Sequence, residues 1–82
     1  MDKANINSVK VKDLLAQYIG VETDDIDNDD SFISDLHMKP TDITDFIEIL
    51  AENGIDVSKI NLADIDTVND LIEEIGINDY LN

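Results

Sequence analysis

The side chains of this chain that could do chemistry are mostly carboxylates, with 20 acidic residues among 82 and only 5 basic ones. In the string VETDDIDNDDSF, Asp25, Asp27 and Asp29 have the spacing of the first three ligands of an EF-hand calcium loop. The rest of that pattern is absent, because Asp30 stands where the turn needs glycine and Leu36 stands where a bidentate glutamate is needed. We therefore predict no dedicated metal site.

The single histidine, His37, is close in sequence to Asp35, and such a pair could orient a general base. The chain has no cysteine, and nothing in the sequence directs a serine toward His37. The three glycines are isolated and do not form a phosphate-binding loop. We expect His37 to be a surface or capping residue, and we expect the protein not to be an enzyme.

The net charge of −15 bears on the binding partners. A surface this acidic repels nucleic-acid phosphates and anionic membranes, and it favours a basic patch on a protein partner. The charge could equally serve only to keep a small protein soluble. We predict a monomer, and the absence of cysteine, of a leader and of a membrane-length apolar run predicts a cytoplasmic location.

Four acids follow Pro40 at helical spacing, and they could form a docking face. Our candidates for partner binding are Asp42, Asp45 and Glu48, with Glu52 further along. The alternative is an ordinary solvated helix surface. Asp42 and Asp45 are also placed to stabilise the positive end of the helix dipole, and both roles are compatible.

The elements that must position these residues are helices, since apolar residues recur at i, i+3, i+4 and i+7 in three stretches. We predict a first helix at about 8–19 with Ser8 as its N-cap, a second from near Pro40 to Gly54, and a third that ends at Gly76. The apolar stripes are Val11, Leu14, Leu15 and Tyr18; Ile43, Phe46, Ile47 and Leu50; and Val68, Leu71, Ile72 and Ile75.

The remaining segments predict a short helix and a long loop. Ser58 could cap one or two helical turns that end at Leu62 or Asp64. No helical stripe lies between Gly20 and about Lys39, so this long loop needs apolar anchors. The predicted anchors are Ile26, Phe32, Ile33, Leu36 and Met38, and the last residues, including Ile77, Tyr80 and Leu81, could add a turn or fray. The sequence thus predicts one all-α domain over residues 1–82, with three longer helices and one short helix.

The order of these elements, the acidity and three strings together resemble an acyl carrier protein. The strings are VKDLLAQYIGVETDDIDNDDSF, DSFISDL and IDTVNDLIEEI. The resemblance runs from Val11 to Ile75, about four fifths of the chain, with one residue missing near Gly54. It implies the four-helix bundle of that family and partners from fatty-acid, polyketide or related pathways.

The resemblance breaks where the family carries its cofactor. After Asp-Leu the family reads close to G-x-D-S-L-D, and its serine bears 4′-phosphopantetheine through a phosphodiester. This chain reads HMKPTD there, so Pro40 occupies the serine position, Lys39 replaces an acid and Thr41 replaces a leucine. Proline has no hydroxyl, but it is well tolerated in the first turn of a helix. We therefore expect the helix to be kept and the attachment chemistry to be lost.

The resulting prediction is an acyl-carrier-like binding module without cofactor. One alternative is a working carrier whose 4′-phosphopantetheine is attached elsewhere, at Thr41 or at Ser31 or Ser34 in the loop. Another alternative, suggested by the net charge alone, is an acidic helical regulator or nucleic-acid mimic.

Overall fold

A computed structural model describes the backbone of residues 3–81 and the side chains of residues 9–75. This part of the chain holds three α-helices, two single 3₁₀ turns and no strand, apart from one isolated antiparallel bridge between Ser31 and Thr67. The α-helices are α1 (Lys3–Ile19), α2 (Pro40–Glu52) and α3 (Val68–Leu81), and the 3₁₀ turns are Thr23–Asp25 and Leu62–Asp64. The predicted all-α architecture agrees with this arrangement.

The core is formed where the apolar stripes of the three α-helices meet, and α1 packs more extensively on α3 than on α2. Leu14, Tyr18, Ile43 and Ile47 of the predicted stripes are only partly buried, while Ala16, which lies outside the stripes, is buried. The other stripe residues are buried, because each helix turns its apolar face inward. They are Val11, Leu15, Phe46, Leu50, Val68, Leu71, Ile72 and Ile75. These positions confirm the helical spacing that the sequence indicated.

The ends of α1 differ in how well the sequence predicted them. The helix stops as predicted at Gly20, whose φ of 81° turns the chain out of the helix. The Gly20 and Val21 amides both donate to the Ala16 carbonyl, at 2.8 and 3.0 Å. The predicted start at Ser8 is wrong, because the helix begins at Lys3. No glycine or proline lies between those two residues to break it.

Gly76 does not end α3, although we predicted that it would. The helix continues to Leu81, which is the last residue described. Glycine in a helix interior costs only about 1 kcal/mol relative to alanine, so its presence alone does not stop a helix. The sequence leaves open whether Ile77, Tyr80 and Leu81 add a turn against the bundle or fray, and their side chains lie outside the described residues.

The short fourth helix that we predicted from Ser58 is not confirmed. Its place holds only the 3₁₀ turn Leu62–Asp64, which is capped by Asn61 through a 3.1 Å hydrogen bond from the Ala63 amide. The Ser58 amide and hydroxyl both donate to the Asp56 carboxylate, at 2.9 and 2.7 Å, and no described amide donates to the Ser58 hydroxyl.

The long loop between α1 and α2 is anchored by apolar side chains, as predicted. Ile26, Phe32 and Met38 are buried, and Leu36 packs against the core from a partly exposed position. Ile33 is the exception, since 46% of its surface is exposed. The loop turns at this point, and Ile33 therefore faces away from the core that its neighbour Phe32 enters.

The same loop is tied by backbone hydrogen bonds to the start of α3. The Phe32 amide donates to the Asp66 carbonyl at 3.0 Å, and the Val68 amide donates to the Asp30 carbonyl at 3.0 Å. Backbone groups that a loop buries need such partners. The position of the loop therefore depends on how α3 begins.

A capping box begins α3. One oxygen of Asp70 accepts hydrogen bonds from the amides of Thr67 and Asp66, each at 3.0 Å, and the Thr67 hydroxyl accepts from the Asp70 amide at 3.2 Å. The bonds from the Thr67 and Asp66 amides hold the pKa of Asp70 below its ordinary value. Because the pKa is lower in the folded state, this stabilisation is present above the unfolded-state pKa. It is lost as pH falls through the folded-state pKa.

We expect Asp70→Ala to lower the free energy of unfolding by about 1 kcal/mol at neutral pH. The difference in free energy of unfolding between this variant and the unmodified protein should shrink as the pH falls, because the Asp70 carboxylate of the unmodified protein becomes protonated. Urea unfolding at a series of pH values measures both effects. Asp29→Ala is the matched control, since Asp29 is exposed in the same protein and caps no helix. A difference for Asp70→Ala that does not change with pH would contradict this account.

Candidate functional site

The candidate site is the start of α2, where proline occupies the first helical position. Pro40 is exposed, and Lys39 before it is the N-cap residue, with an extended backbone at φ −89° and ψ 159°. Proline imposes this extended conformation on the residue that precedes it. Pro40 also has no N–H, so it leaves one fewer unpaired donor at the helix start.

Asp42 supplies one half of a capping box at this helix start. A lysine side chain has no acceptor atom, so it cannot accept hydrogen bonds from the free N–H groups of the first turn. The carboxylate of Asp42 reaches back and accepts a hydrogen bond from the Lys39 amide at 2.9 Å. Asp42 is therefore part of the helix start and is only partly exposed.

The turn before α2 has a left-handed residue. His37 has a φ of 59°, a conformation in which histidine is found more often than most side chains. The resemblance puts the family's glycine at this position, and glycine adopts such a φ without strain. Next to it, Met38 is buried, and its amide donates to the Phe32 carbonyl at 2.9 Å. The chain thus reaches α2 through an anchored turn.

The structure does not bring the candidate base and its carboxylate together. His37 is exposed, and the Asp35 carboxylate accepts a hydrogen bond from the Ser31 amide at 2.7 Å. Within the described residues, no hydrogen bond joins Asp35 to His37. The Asp35 carboxylate holds the loop in shape instead of orienting an imidazole.

The hydroxyl groups near the site differ in availability. Thr41 is exposed on α2, about 100° around the helix from Pro40. Ser34 is exposed in the loop. Ser31 is partly buried and already bonded, because its hydroxyl donates to Asp66 at 3.3 Å and accepts from the Ser34 amide at 3.1 Å.

The acids of α2 separate into two groups. Asp45, Glu48 and Glu52 are exposed, and they accept no hydrogen bond from any described residue. Asp42 is partly buried and holds the helix start. Side chains at i, i+3 and i+7 lie on one side of a helix, so the three exposed acids form one charged face.

Tyr18 connects α1 to this site, a contact that the sequence analysis missed. Its ring lies against Phe46, with ring centres 6.0 Å apart, and its hydroxyl is near the Asp42 carboxylate. Desolvation of the phenol raises the pKa of Tyr18, and the negative charges of Asp42 and Asp45 raise it further. The available signal was that Tyr18 ends an apolar stripe, where a tyrosine usually needs a polar partner for its hydroxyl.

The acidic loop before the site uses its carboxylates in turns. Asp25 accepts from the Glu22 amide at 3.3 Å, and Asp30 accepts from the Asp27 amide at 3.0 Å. In the part of the chain that the structure describes, no three histidine, cysteine or acidic residues form a group that could hold a metal ion.

Comparison with protein-family models identifies the scaffold. A model described as "Phosphopantetheine attachment site" matches residues 9–75. The chain belongs to this family. The match extends from the middle of α1 through all of α2 to Ile75 in α3, so it includes the candidate site. Among the described helices, none has the length and hydrophobicity needed to cross a membrane.

The family attaches its group through a hydroxyl, and the resemblance puts the attachment serine at Pro40. The exposed side chain at the first helical position is the Pro40 ring, which has no oxygen. The hydroxyl of Thr41 leaves the helix in a different direction. A phosphodiester therefore cannot form at Pro40.

We expect Asp42→Asn to lower the pKa of Tyr18, because the neutral amide removes the nearby negative charge that disfavours the phenolate. Asp45→Asn should lower it less, and Glu52→Gln should leave it unchanged. The measurement is tyrosinate ultraviolet absorbance against pH in a Tyr80→Phe background, so that Tyr18 is the single tyrosine. Equal shifts in all three variants would contradict the assigned contact.

Proposed function

We propose that this chain is an acyl-carrier-like binding module that carries no 4′-phosphopantetheine. It is not itself an enzyme, and it has an interaction or accessory role as a cytoplasmic monomer in a fatty-acid or polyketide type of pathway. The observation that carries the proposal is Pro40 at the first position of α2, where the resemblance puts the attachment serine. Membership in the phosphopantetheine attachment family supports the carrier-like part of the proposal.

The geometry of the helix start supports the loss of attachment without loss of the fold. Pro40 fits the first helical turn, Lys39 is extended before it, and Asp42 accepts a hydrogen bond from the Lys39 amide. The helix therefore does not need a serine at this position. A module of this kind keeps the surface that partners meet, while the covalent arm is absent.

The exposed face of α2 supports docking to a basic protein surface. Asp45 and Glu48 are exposed and unbonded among the described residues, so their charges are available to a partner. Asp42 contributes mainly through the helix start, since its carboxylate is bonded to Lys39. Lys39 adds an exposed positive charge at one end of this face, and the partner should therefore be less basic opposite Lys39.

One alternative function has a specific observation in its favour. Thr41 is exposed one residue after Pro40, and its hydroxyl could carry the prosthetic group if a transferase accepted a shifted threonine. Two features count against this alternative: the family uses serine, and the shift rotates the group by about 100° around α2.

Co-expression with a broad-specificity phosphopantetheinyl transferase separates these functions. We expect the intact mass of the purified protein to show no pantetheine-sized gain, because no suitable hydroxyl stands at the aligned position. Pro40→Ser is the matched gain-of-function variant, and it should be modified at least in part. A gain in the unmodified sequence that disappears in Thr41→Ala would replace our proposal with the alternative.

The docking face is tested by charge reversal. We expect the double variant Asp45→Lys/Glu48→Lys to reduce capture of the native partner by about tenfold or more, because like charges then oppose a basic surface. Asp24→Lys/Asp29→Lys makes the same change in net charge in the loop and should reduce capture much less. Quantitative cross-linking and mass spectrometry in native-host extract measures both. Equal losses in the two double variants would mean that net charge, not the α2 face, determines binding.

A further inference from the structure

The C-terminal end of α2 holds the chain's single Asn–Gly pair, Asn53–Gly54. In such a pair the glycine amide nitrogen can approach the asparagine side chain closely, because glycine has no Cβ to obstruct it. Both residues are exposed, and a Cβ placed on Gly54 would have no heavy atom within 4 Å. The site therefore has room for a ring to form and for water to reach it.

We propose that Asn53 is a self-modification site, kept closed by the folded end of α2 and opened when that end frays. In the reaction the Gly54 nitrogen loses its proton and attacks Cγ of Asn53. The new N–Cγ bond closes a succinimide ring, and the Cγ–Nδ2 bond breaks to release ammonia. Water then opens the ring at either carbonyl, which leaves aspartate or isoaspartate. The net change is consumption of one water and release of one ammonia.

The folded helix end holds both reacting groups away from each other. The Asn53 side-chain Nδ2 donates to the Ile49 carbonyl at 2.8 Å, so the carboxamide lies back along the helix. The Gly54 N–H donates to the Ala51 carbonyl at 3.1 Å, so the attacking nitrogen is already bonded. Both hydrogen bonds must break before the ring can close.

A buried contact keeps these bonds in place. Gly54 has a φ of 85°, which turns the chain so that the Ile55 amide donates to the Leu50 carbonyl at 3.1 Å. The Ile55 and Leu50 side chains are both buried, and such a contact commonly accompanies this type of helix end. The free energy of opening this end therefore controls how often Asn53 becomes reactive.

The product would change the end of the helix that carries the exposed acids. A new carboxylate would lie next to Glu52, at the negative end of the helix dipole, where it is destabilising. Isoaspartate would also insert an extra carbon into the main chain, so the hydrogen bonds of the helix end could not form again. Lys10 lies nearby, with its amine bonded to the Asn53 carbonyl at 2.9 Å.

The test compares the purified full-length chain, folded in buffer and unfolded in urea, at the same mildly alkaline pH. Isoaspartate at position 53 is followed by peptide mapping, and released ammonia is followed in parallel. We expect the folded protein to react at least about tenfold more slowly, since each 1.4 kcal/mol of opening free energy gives a factor of about ten. Asn53→Gln is the negative control, and Asn28, Asn61 and Asn69 are slower internal references because each precedes a residue with a side chain.

Two results would overturn the proposal. One is an equal rate in folded and unfolded protein, which would mean that the helix end gives no protection. The other is no isoaspartate at position 53 even in urea.

Ile55→Ala gives a second test, because it weakens the buried contact without changing the reacting atoms. This variant should form isoaspartate faster in buffer and at an unchanged rate in urea. Equal rates for this variant and the unmodified protein in buffer would count against a protective role of the buried contact.

Discussion

A helix whose N-cap residue is lysine has no side-chain acceptor for the free amides of its first turn, and this constraint shapes the candidate site. Pro40 fixes the first turn of α2 and removes a donor, while Lys39 has no acceptor to offer. Asp42 supplies the other half of a capping box by accepting from the Lys39 amide, and the Tyr18 ring packs α1 against Phe46 of α2. Proline therefore costs the fold little at the position where the resemblance puts the family's attachment serine.

The carboxylates of this chain are partly structural. In four places an acid accepts a hydrogen bond from the backbone amide three residues before it, and each such bond shapes a turn or a helix start. The pairs are Asp25 with Glu22, Asp30 with Asp27, Asp42 with Lys39 and Asp70 with Thr67. These acids therefore stabilise the backbone, and our proposal assigns only the exposed acids of α2 to partner binding.

The sequence predicted those parts of the fold that depend on a repeating apolar pattern. Most residues of the three stripes and the anchors Phe32 and Met38 lie in the core, because burial of apolar surface dominates there. The parts that it missed depend on weaker local preferences. Gly76 is tolerated inside α3, and the segment after Ser58 holds only a 3₁₀ turn, capped by Asn61 instead of Ser58. The Tyr18 contact could not be predicted from spacing, since it depends on how α1 and α2 cross.

The central claim is that the polypeptide carries no prosthetic arm. Its most direct test is the intact mass of the protein purified from its native cells, without added transferase and without reduction or hydrolysis. We predict a mass equal to that of the polypeptide, with no fraction heavier by a phosphopantetheine group. A heavier species that holds a free or acylated thiol would contradict the claim, because the chain itself contains no cysteine to supply one.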